Sequence, residues 1–167
     1  MNNSIKLFTG TIEVRLGWNA FHRNYSGGFF SGVLNGKTQV ESNAKAVFCM
    51  QNGKPVYSNI NDSTLCISNR NLFDSAAVYH ESKNCMLINL DRIPENATQI
   101  CFSLERTNKV KGIEIGKVHE IYISISNSIV YQESVSADKS RINSDTNEVS
   151  LGKLQRVNSG WSFVENI

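Results

Sequence analysis

The sequence has little of what most catalytic and membrane-active classes need. It holds two prolines, Pro55 and Pro94, and three histidines, His22, His80 and His119, none of them inside a nucleophile motif. Without a nucleophile, base and orienting group in a recognisable pattern, the residues point away from hydrolytic catalysis. No apolar run approaches the roughly 18 residues of a membrane span. No GxGxxG follows a strand pattern and no GxxxxGK[ST] loop occurs, so Gly27, Gly28 and Gly32 read as a flexible connection rather than a phosphate cradle. Charge of one sign is scarce too: 17 Lys and Arg stand against 15 Asp and Glu, for a formal net charge of +2. Neither half of the chain carries the basic excess of a nucleic-acid binder.

The four cysteines, Cys49, Cys66, Cys85 and Cys101, contain no CxxC pair and have no nearby histidine to complete a short zinc motif. Each lies in or beside an apolar run, which suits reduced, partly buried thiols. The opening residues Met1-Asn-Asn-Ser-Ile-Lys-Leu-Phe-Thr-Gly10 show no basic region followed by an apolar stretch, so a cytoplasmic location is expected. Asn2-Asn-Ser4 and Asn61-Asp-Ser63 fit the glycosylation acceptor pattern, but such triplets arise easily in a chain this rich in Asn and Ser.

What is abundant is turn chemistry: 20 Asn and 20 Ser in 167 residues favour turns and caps over helix interiors. Between the turns lie strand patterns. Ile12, Val14 and Leu16 alternate with Thr11, Glu13 and Arg15; Ile100, Phe102 and Leu104 share one face of Gln99–Glu105; Ile121, Ile123 and Ile125 share one face of His119–Asn127. Shorter candidates are 46–50, 54–57, 64–67, 85–90, 129–131, 151–154 and 161–164. Asn52-Gly53 suits the positive backbone angles of a tight hairpin turn, with Pro55 placing the return strand at a sheet edge. Residues 22–45 and 136–150 read as long connections, and 71–80 has too little periodicity for assignment. With roughly 9 to 11 strand candidates and no helix pattern beyond about ten residues, the expected fold is all-β: a two-sheet sandwich forming a single domain over residues 1–167. Trp18, Trp161 and Phe163 are candidate packing residues across its interior.

Oxygen-bearing side chains give one further signal. Glu41-Ser-Asn43 and Asn59-Ile-Asn61, with Asp62 adjacent, present ligand atoms at i and i+2, as a hard cation such as calcium requires. Carboxylates are few, however, and taken alone these residues favour ordinary turn hydrogen bonds over a metal site.

The ordered set of segments resembles the TerD-type domain of tellurium-resistance and general stress proteins. It is carried by Val14-Arg-Leu-Gly-Trp-Asn19, Ala46-Val-Phe48 with Asn52-Gly-Lys54, Ile88-Asn-Leu90 through Ile93-Pro94, Ile115-Gly-Lys-Val118, Tyr122-Ile-Ser-Ile-Ser-Asn127, Leu151-Gly-Lys-Leu-Gln-Arg156 and Gly160-Trp-Ser-Phe163. The resemblance spans about residues 12 to 164. It implies a compact β-sandwich, usually calcium-binding and without established enzymatic chemistry, that acts with partner proteins in bacterial stress responses. By that resemblance the family's acidic pairs fall on Glu41 and Asn43 and approximately on Asn59 and Asn61, a degenerate calcium site. Asn for Asp keeps an oxygen but removes charge, Lys83 brings a cation near, and Asn89 stands at a normally acidic position. The expectation is therefore a non-enzymatic interaction protein with an unidentified protein partner, no nucleic acid, and weak or lost calcium binding; the alternative is a calcium-regulated binding domain.

Overall fold

The computed structural model describes residues 7–18, 42–81, 85–106, 121–127, 131–136 and 148–165. Twelve strands lie among them: β1 (Leu7–Phe8), β2 (Thr11–Trp18), β3 (Ser42–Cys49), β4 (Thr64–Leu65), β5 (Asn71–Leu72), β6 (Ala77–His80), β7 (Cys85–Asn89), β8 (Gln99–Arg106), β9 (Ile121–Ser126), β10 (Tyr131–Ser136), β11 (Glu148–Val157) and β12 (Gly160–Glu165). They form two six-stranded antiparallel sheets. The first has the order β1-β12-β11-β8-β3-β4 and the second β10-β9-β2-β7-β6-β5. Three of the four sheet edges, β1, β4 and β5, are two residues long.

The interior forms where the alternation of both sheets points inward. Ile12, Val14 and Leu16 of β2 and Ile123 and Ile125 of β9 meet Ala44, Ala46 and Phe48 of β3 and Ile100, Phe102 and Leu104 of β8 in one apolar cluster. Trp161 is buried in the same cluster and Phe163 packs against it. The side chains of Trp18 and Ile121, also expected inside, lie outside the described residues, as does His119.

Strand β11 keeps its apolar residues inside only by changing step. Its pairing with β8 shifts between Ser150 and Gly152, a β-bulge with Leu151 as the extra residue, so Val149 before it, Leu151 in it and Leu154 after it are all buried. Gly152 sits there at φ +145°, and a Cβ on it would come within 2.6 Å of both the Phe163 ring and the Val164 carbonyl oxygen. Only glycine fits that place. Beyond the bulge, Arg156 donates to the carbonyls of Ala97 (3.0 Å) and Pro94 (3.2 Å) and lies 4.5 Å over the Trp161 ring. Its burial lowers the guanidinium pKa from the ordinary value, and Glu95 partly opposes that shift. The contacts tie the end of β11 to the segment that enters β8.

Several sequence expectations need correction. Residues 42–45 are not loop but the first half of β3, and 148–150 begin β11; the remainders of both long connections lie outside the described residues. Asn52 does not take a positive φ; Gly53 alone does, at +83°, with its N–H bonded to the Met50 carbonyl. The return of this turn is a single bridge between Cys49 and Pro55 rather than a strand over 54–57. The 64–67 candidate keeps only Thr64–Leu65, because Cys66 and Asn69 bond to each other in a tight turn.

Residues 71–80 form β5, a turn and β6. Phe73, Asp74 and Ser75 are all left-handed at φ 54°, 57° and 69°, which side chains rarely adopt. The Asn71 amide holds this turn by accepting from the Ser75 N–H and donating to the Ser75 hydroxyl, while Phe73 packs edge-on to Phe48 at 5.0 Å. That tertiary support explains why local periodicity gave no signal.

Phe102 is fully buried at the centre of the first sheet. Replacing it with Ala is expected to remove about 3–5 kcal/mol of stability, measured by urea denaturation. A loss below about 1 kcal/mol would show that the two sheets do not close on this strand.

Candidate functional site

Because side chains alternate, burying Ala44, Ala46 and Phe48 turns Asn43, Lys45, Val47 and Cys49 to the outer face of the first sheet. Burying Ile100, Phe102 and Leu104 likewise turns out Gln99, Cys101, Ser103 and Glu105. The register sets Asn43 opposite Glu105 and Glu105 opposite Glu148. These residues floor an open cleft of about 630 Å³, whose wall is the 3₁₀ turn Ile60–Ser63 and the Cys66–Asn69 turn.

Polar side chains fix the wall, beside the packing of Leu65 and Ile67 on the core. Asn59 caps the 3₁₀ turn, its side-chain oxygen accepting from the Asn61 N–H at 2.9 Å. The Asn69 amide donates to the carbonyls of Asn61 and Thr64, both at 3.0 Å. The Thr64 hydroxyl donates to the Ile60 carbonyl at 2.7 Å, and the Tyr57 N–H donates to the Ser63 hydroxyl at 2.9 Å. This pinning leaves Ile60, on the cleft wall, 55% exposed, and the nearby Tyr57 46% exposed.

The floor carries an electrostatic conflict. Glu105 and Glu148 are direct cross-strand neighbours, an arrangement that like charges disfavour. Two contacts relieve it: the Lys45 ammonium lies 2.7 Å from a Glu105 carboxylate oxygen, and the Ser103 hydroxyl donates to Glu148 at 2.7 Å. The bond to Glu105 is the main cause that raises the Lys45 pKa above its ordinary 10.5, with burial opposing and Glu148 adding to the rise. Asp62 also lines the cleft, so three carboxylates face one ammonium on a chain whose overall charge is positive.

Of the residues expected to hold calcium, Asn43 and Asn61 line this cleft, whereas Asn59 does not and instead serves as the cap just described. Glu41 and Lys83 lie outside the described residues. Asn89 caps a separate 3₁₀ turn, Leu90–Arg92, accepting from the Asp91 N–H. Among the described residues no three or more His, Cys, Asp or Glu side chains converge as a metal-holding group. The Asn59 side-chain oxygen and the Asn61 backbone carbonyl are already engaged, and an ammonium stands on the floor of the cleft. Sequence reading missed Lys45, Glu105 and Glu148: Glu105 had outward parity on a patterned strand as its signal, whereas Lys45 and Glu148 fell in segments read as connections.

The same face continues past Val47 to two thiols. Cys101 stands opposite Val47 and Lys153, and Cys49 opposite Gln99, so Cys49 and Cys101 are diagonal neighbours. The Cys49 thiol donates to the Val47 carbonyl at 3.8 Å, and all four cysteines of the chain are free. Burial, chiefly, pushes Cys49 up to about 11 and also raises Cys101, against the pull of the Lys153 ammonium.

Two antiparallel sheets closed over a common apolar interior, with a charged cleft on the outside of one, define a β-sandwich domain whose available surface is a sheet face. The TerD domain profile matches residues 7–165, and the chain belongs to the TerD domain family. Two solved structures share its fold. One is SAV2460, described as a protein of unknown function, 12% identical with a TM-score of 0.59, over 95% of this chain and 88% of that one. The other is SCO6318 from Streptomyces coelicolor A3(2), described as a homologue of telluride resistance protein (TerD), 13% identical with a TM-score of 0.59 over the same shares. Comparison with curated proteins finds none that matches. Among the described residues no helix is long and apolar enough to cross a membrane.

The Lys45–Glu105 pair is partly solvated, with side chains 25% and 38% exposed, so Lys45→Met is expected to change stability by less than about 1 kcal/mol at neutral pH. Since the folded pKa of Lys45 is raised, its contribution is complete below the unfolded value and fades as pH climbs through the folded one. Denaturation curves of the two proteins should therefore converge at strongly alkaline pH. Divergence there would contradict the pairing.

Proposed function

We propose that the chain is a non-enzymatic interaction domain of a bacterial stress response, of the tellurium-resistance-like kind, and that its outer cleft receives a basic segment of a protein partner. The observation that carries this reading is the direct apposition of Glu105 and Glu148, with Asp62 beside them and Lys45 compensating one charge. A like-charged pair across a ladder costs stability, and a Lys or Arg brought in by a partner would relieve it. Ile60 and Tyr57 supply the apolar contact at the margin that a purely ionic encounter would lack. The cleft is open and charged, whereas small-molecule sites are mostly enclosed and apolar. A protein segment suits it better. A cytoplasmic setting accords with this role and with the free thiols.

The test is affinity capture from cell extract with the wild-type chain, Glu148→Gln and Ile60→Asp. A reproducible partner should be released by raised salt, and either substitution should weaken its retention about tenfold or more. Retention that is indifferent to both changes, or turnover of a small molecule with no partner found, would reject the proposal.

Calcium regulation is the second reading, favoured by Asn43 and Asn61 lining the same cleft as three carboxylates. We place it behind the first because Lys45 contributes a positive charge to the floor, and we take the family's calcium binding to be weakened or lost. Thermal melts in chelator-treated buffer, with and without millimolar calcium, should differ by less than about 1 °C. A saturable rise that Asn43→Ala and Glu41→Ala diminish would restore the calcium-regulated reading.

A further inference from the structure

The diagonal thiols of Cys49 and Cys101 form a second locus that the proposed partner contact does not use. Cys49 is 6% exposed, whereas Cys101 lines a shallow cavity of about 210 Å³ together with Gln99, Lys153 and Glu165. Cys101 is thus reachable from solvent, and Cys49, on the adjacent strand, is nearly closed off. Diagonal neighbours on antiparallel strands are about 7–8 Å apart, beyond the roughly 6.8 Å that a disulfide's α-carbons usually allow. Direct oxidation to a disulfide would require the strands to move. A bridging atom relaxes that demand.

Chemistry narrows what could bridge. Tetrahedral zinc needs four ligands, and among the described residues no group of three His, Cys, Asp or Glu converges. Two thiolates alone satisfy a soft monovalent d¹⁰ cation, which accepts linear two-coordination and prefers sulfur. Charge balance agrees: two S–H protons leave as the cation enters, so the bridged pair carries one net negative charge. Lys153, paired opposite Cys101 and held by its bond to Gln99 at 3.3 Å, supplies one positive charge beside it. Burial opposes the loss of both protons, so only a cation with high affinity for sulfur would draw them off.

We propose that Cys49 and Cys101 form a two-coordinate dithiolate site for a soft monovalent cation of the copper(I) type, with Lys153 as its charge partner. The test is anaerobic competition of the reduced, full chain for copper(I) against a chromophoric chelator. One copper per chain should be withdrawn, and X-ray absorption should show two sulfur ligands and no nitrogen. Cys101→Ser and Cys49→Ser should each weaken binding by more than about 100-fold, since losing a ligand exceeds the 10–100-fold effect of a supporting residue. Lys153→Gln should weaken it severalfold, and Cys66→Ser should leave it unchanged. Binding that survives both Cys49→Ser and Cys101→Ser, that disappears in Cys66→Ser, or that shows three or more ligands in the wild-type chain would overturn the assignment. So would failure of the wild-type chain to compete. The wild-type stoichiometry and ligand count decide the matter even where a buried cysteine variant does not fold. They do so independently of any partner protein.

Discussion

Everything on the working face of the molecule depends on the parity of three neighbouring strands. Water is excluded from the interior only if Ala44, Ala46 and Phe48, then Ile100, Phe102 and Leu104, then Val149, Leu151 and Leu154 all turn inward together. A slip of one residue in any of them would bury Lys45, Cys101 or Lys153. The bulge at Gly152 is where this constraint is met on β11, because an unbroken alternation starting from inward Val149 and Leu151 would expose Leu154 and bury Lys153. One glycine therefore keeps Leu154 in the core and sets Lys153 outside, opposite Cys101. Core packing and surface chemistry are two consequences of one register.

How much of this could be read in the sequence follows from how local each feature is. The alternations in β2, β8 and β9 are visible because a half-buried strand writes a two-residue period into five or more consecutive positions. Strand β1 is too short to write one, although Phe8 is fully buried. The start of β3 at Ser42 looked like loop because Ser, Asn and Lys dominate there, and the two alanines facing the core give a faint apolar signal. Between β5 and β6, an Asn side chain and a distant aromatic ring hold three residues left-handed. Nothing local announces that. The family was legible from ordered short segments, and the profile match over residues 7–165 agrees with them.

The candidate sites were less legible because their members are brought together only by the fold. Glu105 and Glu148 are 43 positions apart and Cys49 and Cys101 are 52 apart, and only the ladders β3–β8 and β8–β11 make them neighbours. The spaced pairs Glu41 with Asn43 and Asn59 with Asn61 drew attention because i and i+2 ligands are visible along a chain. In the fold, Asn59 works as a cap, its oxygen engaged by the Asn61 backbone, and among the described residues of that set Asn43 and Asn61 reach the cleft. Amide side chains that resemble metal ligands in sequence are equally suited to satisfying backbone groups at turns.

One sheet face thus carries two chemistries in sequence along its strands: hard oxygen and a paired ammonium at one end, soft sulfur and an ammonium at the other. Val47 separates them on β3, and Ser103 separates Glu105 from Cys101 on β8. A hard cation drawn to the carboxylates has little affinity for thiols, and a soft cation bound to the thiols gains little from the carboxylates. The lysines sharpen that division, because Lys45 offsets the charge a divalent ion would seek at Glu105, while Lys153 offsets the charge a monovalent ion would leave on the thiolates. Swapping their surroundings would reverse both effects. On the proposed reading, Lys45 is the ammonium that bears on the cleft, and Lys153 bears on the thiols.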